Sequence, residues 1–282
     1  MKQIFKIMFL AVSILLGIVS TPALASTMAF SESTEELFLK FPSYKETLEK
    51  QTTGKLIDAQ EIYFKLTPKE NVTIKSTYNT KNLESDFIIE EYSREEFNKI
   101  SKEKGIGGQE GGSSNWLRMD LQVYQSSGQS DYMAYNFCSW KTKPIFRFQD
   151  AIGISVSDGL IISGDSSSRF AEYRFQNPYS PVGGCTILGT EINPHGNGIM
   201  AKTYLQPGNA LEAFPGLNEY HDMGIGTGVV YNNNNIRNGR IAGNYLHKQL
   251  AVGGIGMDIN GVPNLSIAGS SDSVSASIFV SR

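Results

Sequence analysis

Leu117, Met119, Leu121 and Val123 alternate with Arg118, Asp120 and Gln122, and Val274, Ala276, Ile278 and Val280 alternate with Ser275, Ser277 and Ser281. A period of two puts every apolar side chain on one face of an extended chain and every polar one on the other. A helix scatters the same residues around its whole circumference. Both segments therefore predict half-buried strands. Tyr132 to Trp140 and Arg169 to Phe175 are aromatic-rich and predict two more.

Turn chemistry extends the pattern. Ile152 to Val156 and Leu160 to Ile162 flank Asp158-Gly159, and Ile255 to Ile259 and Val262 to Ile267 flank Asn260-Gly261. Asp-Gly and Asn-Gly tolerate the positive φ of tight turns, so each pair predicts a hairpin. Short strands with almost no helical period point to a mainly β protein: an antiparallel β-sandwich or barrel-like domain preceded by a smaller charged α+β segment. No repeat at a fixed period is present, which argues against solenoids and propellers.

The charged segment is a matter of composition. Residues 32–104 hold 15 acidic and 12 basic residues, whereas 105–282 hold 13 and 11 over more than twice the length, together with 26 of the 28 glycines. The change falls at Gly105-Ile106-Gly107-Gly108 and Gly111-Gly112-Ser113-Ser114, a density of glycine and serine that marks a flexible connection. The expected organisation is 1–25, 26–104 and 105–282, with 113–282 able to stand alone.

Within the middle segment, Ser33-Thr34-Glu35-Glu36 reads as a capping box opening a short helix that Pro42 stops, and Ser43 to Glu46 opens a second. Glu61 to Leu66, Asn71 to Tyr78 and Phe87 to Tyr92 predict strands. Ser93-Arg94-Glu95-Glu96 opens a surface helix capped near Gly105, with only Phe97 and Ile100 apolar.

The first 25 residues have the order of an export signal. Lys2 and Lys6 precede a thirteen-residue apolar run from Ile7 to Val19, and Pro22 and Ala23-Leu24-Ala25 follow. The run is shorter than the roughly 20 residues that span a bilayer, so cleavage near Ser26 and secretion to the extracellular space are expected, with no stable membrane anchor. The net charge is −3, and −5 without the two lysines. A mildly acidic chain lacks the electrostatic footprint of a nucleic-acid partner. Cys138 and Cys185 are the two cysteines, and in an oxidising compartment a lone pair predicts a disulfide contributing about 4 kcal/mol on a chain-entropy argument.

The motifs of chemistry are sparse. There is no nucleophile elbow, zinc-binding helix or phosphate loop, and no cofactor or metal is expected. Gly224-Ile225-Gly226-Thr227-Gly228 and Gly253-Gly254-Ile255-Gly256 lack dinucleotide-binding spacing and read as strand and turn glycine. Asp258-Ile259-Asn260-Gly261 has no closing Glu for a calcium loop, and a turn explains it. Exposed aromatics on a β platform can stack on sugars or anchor a partner, which singles out Trp116, Trp140 and Tyr220 as binding candidates.

Three readings follow. The first is a secreted non-catalytic β protein whose partner is an extracellular glycan, wall component or protein. The second is a secreted hydrolase whose His221, Asp222 and His195, with Asp120 and Asp131, converge only in three dimensions; a histidine beside carboxylates suits general base catalysis. The third is a membrane-active β-toxin. It is weakened because the 152–162 hairpin has arms far shorter than the 9–11 residues of a membrane-crossing strand.

Overall fold

The computed structural model describes residues 32–69, 87–104, 114–142, 144, 149–157, 159–175, 184–205, 221–233, 235–248, 255–258, 260–265 and 271–282. The expected signal peptide, the 71–78 strand, most of the Gly/Ser junction and Tyr220 lie outside these residues. The chain forms two compact units, Met1–Glu36 and Leu37–Arg282. Of the first, only 32–36 are described, the opening turns of helix α1 (Glu32–Lys40).

The elements that follow are α2 (Pro42–Gln51), β1 (Thr52–Pro68), β2 (Phe87–Tyr92), α3 (Arg94–Lys104), β3 (Asn115–Ser126), β4 (Tyr132–Trp140), β5 (Gln149–Ser157) and β6 (Leu160–Ile162). After a 3-10 turn (Ser166–Ser168) come β7 (Phe170–Phe175), β8 (Gly184–Ile187), β9 (Thr190–Ile192), β10 (Gly198–Tyr204), β11 (His221–Tyr231) and β12 (Asn238–Lys248). The hairpin β13 (Ile255–Met257) and β14 (Pro263–Leu265) and the strand β15 (Ser271–Ser281) complete the chain.

All strand pairs among the described residues are antiparallel, and they build two main sheets. The larger runs β2-β1-β3-β4-β11-β7-β8, with β6 also paired to β11; the smaller runs β15-β12-β5-β10-β9. Leu117, Met119, Leu121 and Val123 of β3 meet Val274, Ala276, Ile278 and Val280 of β15 in one core with Ile152, Ile154 and Ile241. The two alternating segments of the sequence thus face each other across the sandwich. Burying a side chain of this size stabilises by about 1.5–3 kcal/mol, so this core dominates the fold.

Polar residues of β3 are also buried: Arg118, Asp120 and Gln122 are at most 4% exposed. Helices cover this outward face. Tyr44 of α2 donates to Gln122 Oε1 at 2.6 Å, and its ring lies 4.9 Å from that of Tyr135. Phe97 of α3 stacks on Tyr63 at 4.2 Å and meets Trp116 edge-on at 5.2 Å. Pro42 follows the end of α1 and opens α2, where its missing N–H costs nothing. The α3 capping box forms: Ser93 Oγ accepts from Glu96 N at 3.2 Å, and Glu96 Oε2 accepts from Ser93 N at 2.8 Å. Ser33 lies inside α1 and not at its cap.

Three expectations are corrected. Asp158-Gly159 does not close a hairpin, because β5 pairs with β10 and β12 whereas β6 pairs with β11. The turn carries the chain from one sheet to the other. Gly159 has φ +86°, and a Cβ there would stand 2.1 Å from Ile236 Cδ1. The Asn260-Gly261 hairpin does form, with Gly261 at φ +76° and Asp258 N donating to Val262 O at 2.9 Å.

The Cys138–Cys185 disulfide is not formed. Cys138 is a free, buried thiol of β4, and Cys185 belongs to β8. Two strands, β11 and β7, lie between them. Three inter-strand gaps amount to about 14 Å, twice the roughly 7 Å that a disulfide can bridge. Nor does a boundary at 104/105 divide the structure. β1 pairs with β3 from Thr52↔Ser126 to Leu66↔Asn115, and Phe64 and Leu66 enter the common core.

Candidate functional site

The outer face of the smaller sheet is polar in its exposed part. Side chains paired across neighbouring strands share a face, and the register puts Phe279, Arg240 and Ser157 in one row across β15, β12 and β5. The next rows are Ser277, Ala242 and Ser155, then Ser275, Asn244 and Gly153. Farther along, the β13–β14 hairpin lies on the sheet and closes a small apolar cluster of Ala151, Met200, Leu246 and Ile255.

Between this hairpin and the sheet opens a groove of about 570 Å³. Its polar lining is Ser155, Ser157, Asn197, Asn232, Arg240 and Asn260. These come from β5, β12, the turn before β10, the residue after β11 and the hairpin tip. A smaller cavity of about 90 Å³ lies on the far side of the hairpin, beside Asn244, Ser273 and Ser275.

Hydrogen bonds tie the walls together. Asn197 O accepts from Val156 N at 2.9 Å, and Gly159 O accepts from Asn232 N at 2.7 Å. Asn193 Nδ2 donates to Asp258 O at 2.6 Å, which holds the hairpin tip to the β9–β10 turn. Asp258 Oδ1 accepts from Asn260 N at 2.8 Å and Val262 N at 3.0 Å. Asn244 Nδ2 donates to Ser155 Oγ at 2.9 Å. The groove is therefore largely pre-formed, as small-ligand sites usually are.

At its rim, Phe279 is 76% exposed and Arg240 is exposed. Arg237 is exposed too, and its carbonyl accepts from Arg282 N at 2.8 Å. Arg282 pairs with Asp131 at 3.1 Å and lies over the Tyr231 ring at 5.3 Å. Of these three guanidinium groups, Arg240 lines the groove, in one row with the exposed ring of Phe279, whereas that of Arg282 is held at the end of the larger sheet.

The expected sites lie elsewhere. Trp116 is buried under α3. Trp140 is buried between the sheets, where Nε1 donates to Tyr245 Oη at 2.8 Å. Neither offers a surface for stacking.

His221 is 1% exposed, faces the core beside Met223 and Ile225, and hydrogen-bonds Tyr173 Oη through Nδ1 at 2.8 Å. Asp222, its neighbour on β11, points to the opposite face and pairs with Lys40 at 3.2 Å. His195 is exposed in the turn before β10, where its backbone N donates to Asn193 Oδ1 at 2.8 Å. That turn meets β6 through Ile162 N to Gly196 O, and Ile162 pairs with Val229. Eight residue steps along β11 separate Val229 from His221, roughly 26 Å of strand. The structure thus does not bring His195, His221 and Asp222 together. Asp120 belongs to a buried ion network with Arg118 at 2.7 Å, and Arg118 also reaches Glu61 at 3.1 Å.

A histidine–carboxylate pair does form, between residues that the sequence does not single out. His247 Nδ1 lies 2.7 Å from Asp150 Oδ1, and Tyr245 donates to the other carboxylate oxygen. Both members of the pair are at most 2% exposed, and the His247 ring lies 5.0 Å from that of Trp140. Burial raises the Tyr245 and Cys138 pKa values well above their usual ranges, with Asp150 adding to both. A thiol held protonated in this way is a poor nucleophile. The cluster reads as interior packing with satisfied hydrogen bonds.

The two facing sheets define a β-sandwich with a polar groove on one outer face. No family model matches the chain, and no curated protein matches it. Among solved structures, the collagen-binding domain of a Staphylococcus aureus adhesin is 8% identical with a TM-score of 0.26, over 51% of this chain and 86% of that one. The collagen-binding domain of the Erysipelothrix rhusiopathiae surface protein RspB is 4% identical with a TM-score of 0.26, over 58% and 65%. A pore forming protein is 8% identical with a TM-score of 0.27, over 61% and 89%. Likenesses at such TM-scores decide neither fold nor ligand. No described helix is long and apolar enough to cross a membrane.

Proposed function

We propose that the chain is an exported, non-catalytic β-sandwich protein that binds a polar extracellular ligand, a glycan or wall component, in the groove on the outer face of the smaller sheet. One observation carries this reading. Hydroxyl, amide and guanidinium groups from five separate places in the chain converge on one concavity of about 570 Å³, with an exposed aromatic ring at its rim. Convergent polar groups beside an aromatic platform suit a ring-shaped polyol: the ring covers its C–H face while amides and hydroxyls meet its oxygens. Trp116 and Trp140 have no part in this, because both are in the core. Export rests on the basic, apolar and small-residue order of 1–25.

The hydrolase alternative loses support because its histidines and carboxylates either face the core or lie far apart. The toxin alternative loses its hairpin, since 152–162 joins two sheets.

The test is a groove-filling variant. Ala242 lines the groove at mid-sheet, and Ala242→Trp occupies its floor without touching the core. Purified full chain is assayed against a panel of polysaccharides and wall preparations. The expected result is measurable binding that falls at least tenfold in the variant. Binding that the variant leaves intact overturns the reading, and so does hydrolysis of a panel member that His221→Ala abolishes.

A further inference from the structure

We infer that the ligand of this groove is an anionic polysaccharide, one whose sugars carry carboxylate or sulfate groups, read by Arg240 beside the exposed ring of Phe279. The inference rests on the groove reading and adds the chemical class of the ligand.

The chain as a whole is acidic, with 28 Asp and Glu against 25 Lys and Arg. Among the described residues that line the groove, Arg240 is the one charged group, and it stands beside Phe279 in the β12–β15 register. Two described acids of the adjoining elements, Asp131 and Asp258, are engaged. Asp131 pairs with Arg282 and also accepts from Tyr231 N at 2.9 Å. Asp258 caps the amides of the hairpin turn. No described carboxylate forms an ion pair with Arg240, which leaves its guanidinium for an anion from outside.

Geometry narrows the anion. Phe279, Arg240 and Ser157 stand in one row across three strands, spanning roughly 10 Å, comparable to a disaccharide. A planar guanidinium takes a carboxylate or sulfate in two parallel hydrogen bonds. The ring at one side offers stacking, and the serine and the Asn197, Asn232 and Asn260 amides face sugar hydroxyls. A neutral glycan leaves the guanidinium without an ionic partner. An anionic membrane needs a broad basic plane, whereas this site is concave and sits on an acidic protein.

The test uses full-length protein and four probes: dextran sulfate, polygalacturonate, neutral dextran, and phosphatidylglycerol vesicles. The expected result is binding to the two anionic polymers, with dextran and vesicles at least tenfold weaker. The affinity should fall as salt rises, because the rim is exposed and screened. Arg240→Ala should weaken binding about tenfold and flatten the salt dependence, and Arg240→Lys should recover only part. Phe279→Ala should weaken binding while keeping the salt dependence. Lys45→Ala, on α2, is the control.

Equal binding of neutral dextran, or an Arg240→Ala variant that binds normally, overturns the anionic assignment; the groove reading survives if Ala242→Trp still abolishes binding. Preference for vesicles overturns it in favour of a lipid surface. Absence of binding to every polysaccharide overturns both.

Discussion

Asp120 lies on the outward face of β3 with its carboxylate 2.7 Å from Arg118 Nε. Burial dominates its environment: desolvation, only partly opposed by Arg118, holds the carboxyl up to about 6. In the unfolded chain an aspartate releases its proton near 3.9. Between these values the folded protein keeps a proton that the unfolded chain has lost, so stability falls as pH rises from about 4 to about 6. The full swing is on the order of 2–3 kcal/mol at 1.36 kcal/mol per pH unit. Asp120→Asn should flatten that slope, whatever it does to absolute stability. Urea midpoints for both proteins at pH 4 and pH 6.5 check this, and parallel profiles would count against burial as the governing cause. Nothing in the alternation of Leu117 to Val123 reveals this, since the pattern marks Asp120 as outward, not as covered. Long-range contacts with α2 and α3 do the covering. His221 makes the same point in reverse: its polar neighbours in sequence suggest a loop, whereas the register of β11 turns its ring into the core.

Among the elements, β11 shows why a glycine cluster need not bind a nucleotide. On one side of β11, Gly224 and Gly226 face the aromatic layer of Tyr135, Phe137 and Phe170, and Gly228 faces Ser130 and Ser168. A Cβ at Gly226 would lie 2.4 Å from Phe170 Cε1 and 2.7 Å from Tyr135 Cδ1. Gly226→Ala should destabilise the fold by about 1–3 kcal/mol through overpacking. A chemical-denaturation midpoint reads the effect, and an unchanged midpoint would mean that the rings move aside freely. Strands with strong local signals were legible: β2 and β4 occupy the spans that their residues predict, and Ser93 caps α3 as its sequence requires. Partner choice was not. Asp158-Gly159 has the chemistry of a tight turn but lacks any mark of which sheet each arm joins. The groove was nearly invisible, because Arg240, Asn197 and Asn260 converge only through sheet order. One signal existed: Phe279 interrupts the polar register of β15, an apolar residue where the period demands a polar one.

For the whole molecule, β1 binds the charged segment to the rest. It lies between β2 and β3 and brings Phe64 and Leu66 into the core, so 113–282 should not stand alone. Expressed without β1, the fragment leaves the β3 edge unpaired and part of the core open, a setting for aggregation. The expected outcome is insoluble material. A soluble fragment with a cooperative melt would restore a boundary near residue 105. The drop in charge density there is real, but it reflects a helix-covered edge giving way to a Gly-rich centre, not two bodies.

The sheet orders also say how the chain reaches this state. β4 must find β11, and β5 must find β12, each across more than 70 residues of intervening chain. Closing loops of that length comes before any contact can reward it, and chains dominated by such pairings fold in milliseconds to seconds where helical bundles need microseconds. The crossing at Gly159 links the two closures, since it delivers β5 to one layer and β6 to the other. Under the proposed export, closure on this timescale would leave the chain unfolded while it is threaded through a membrane.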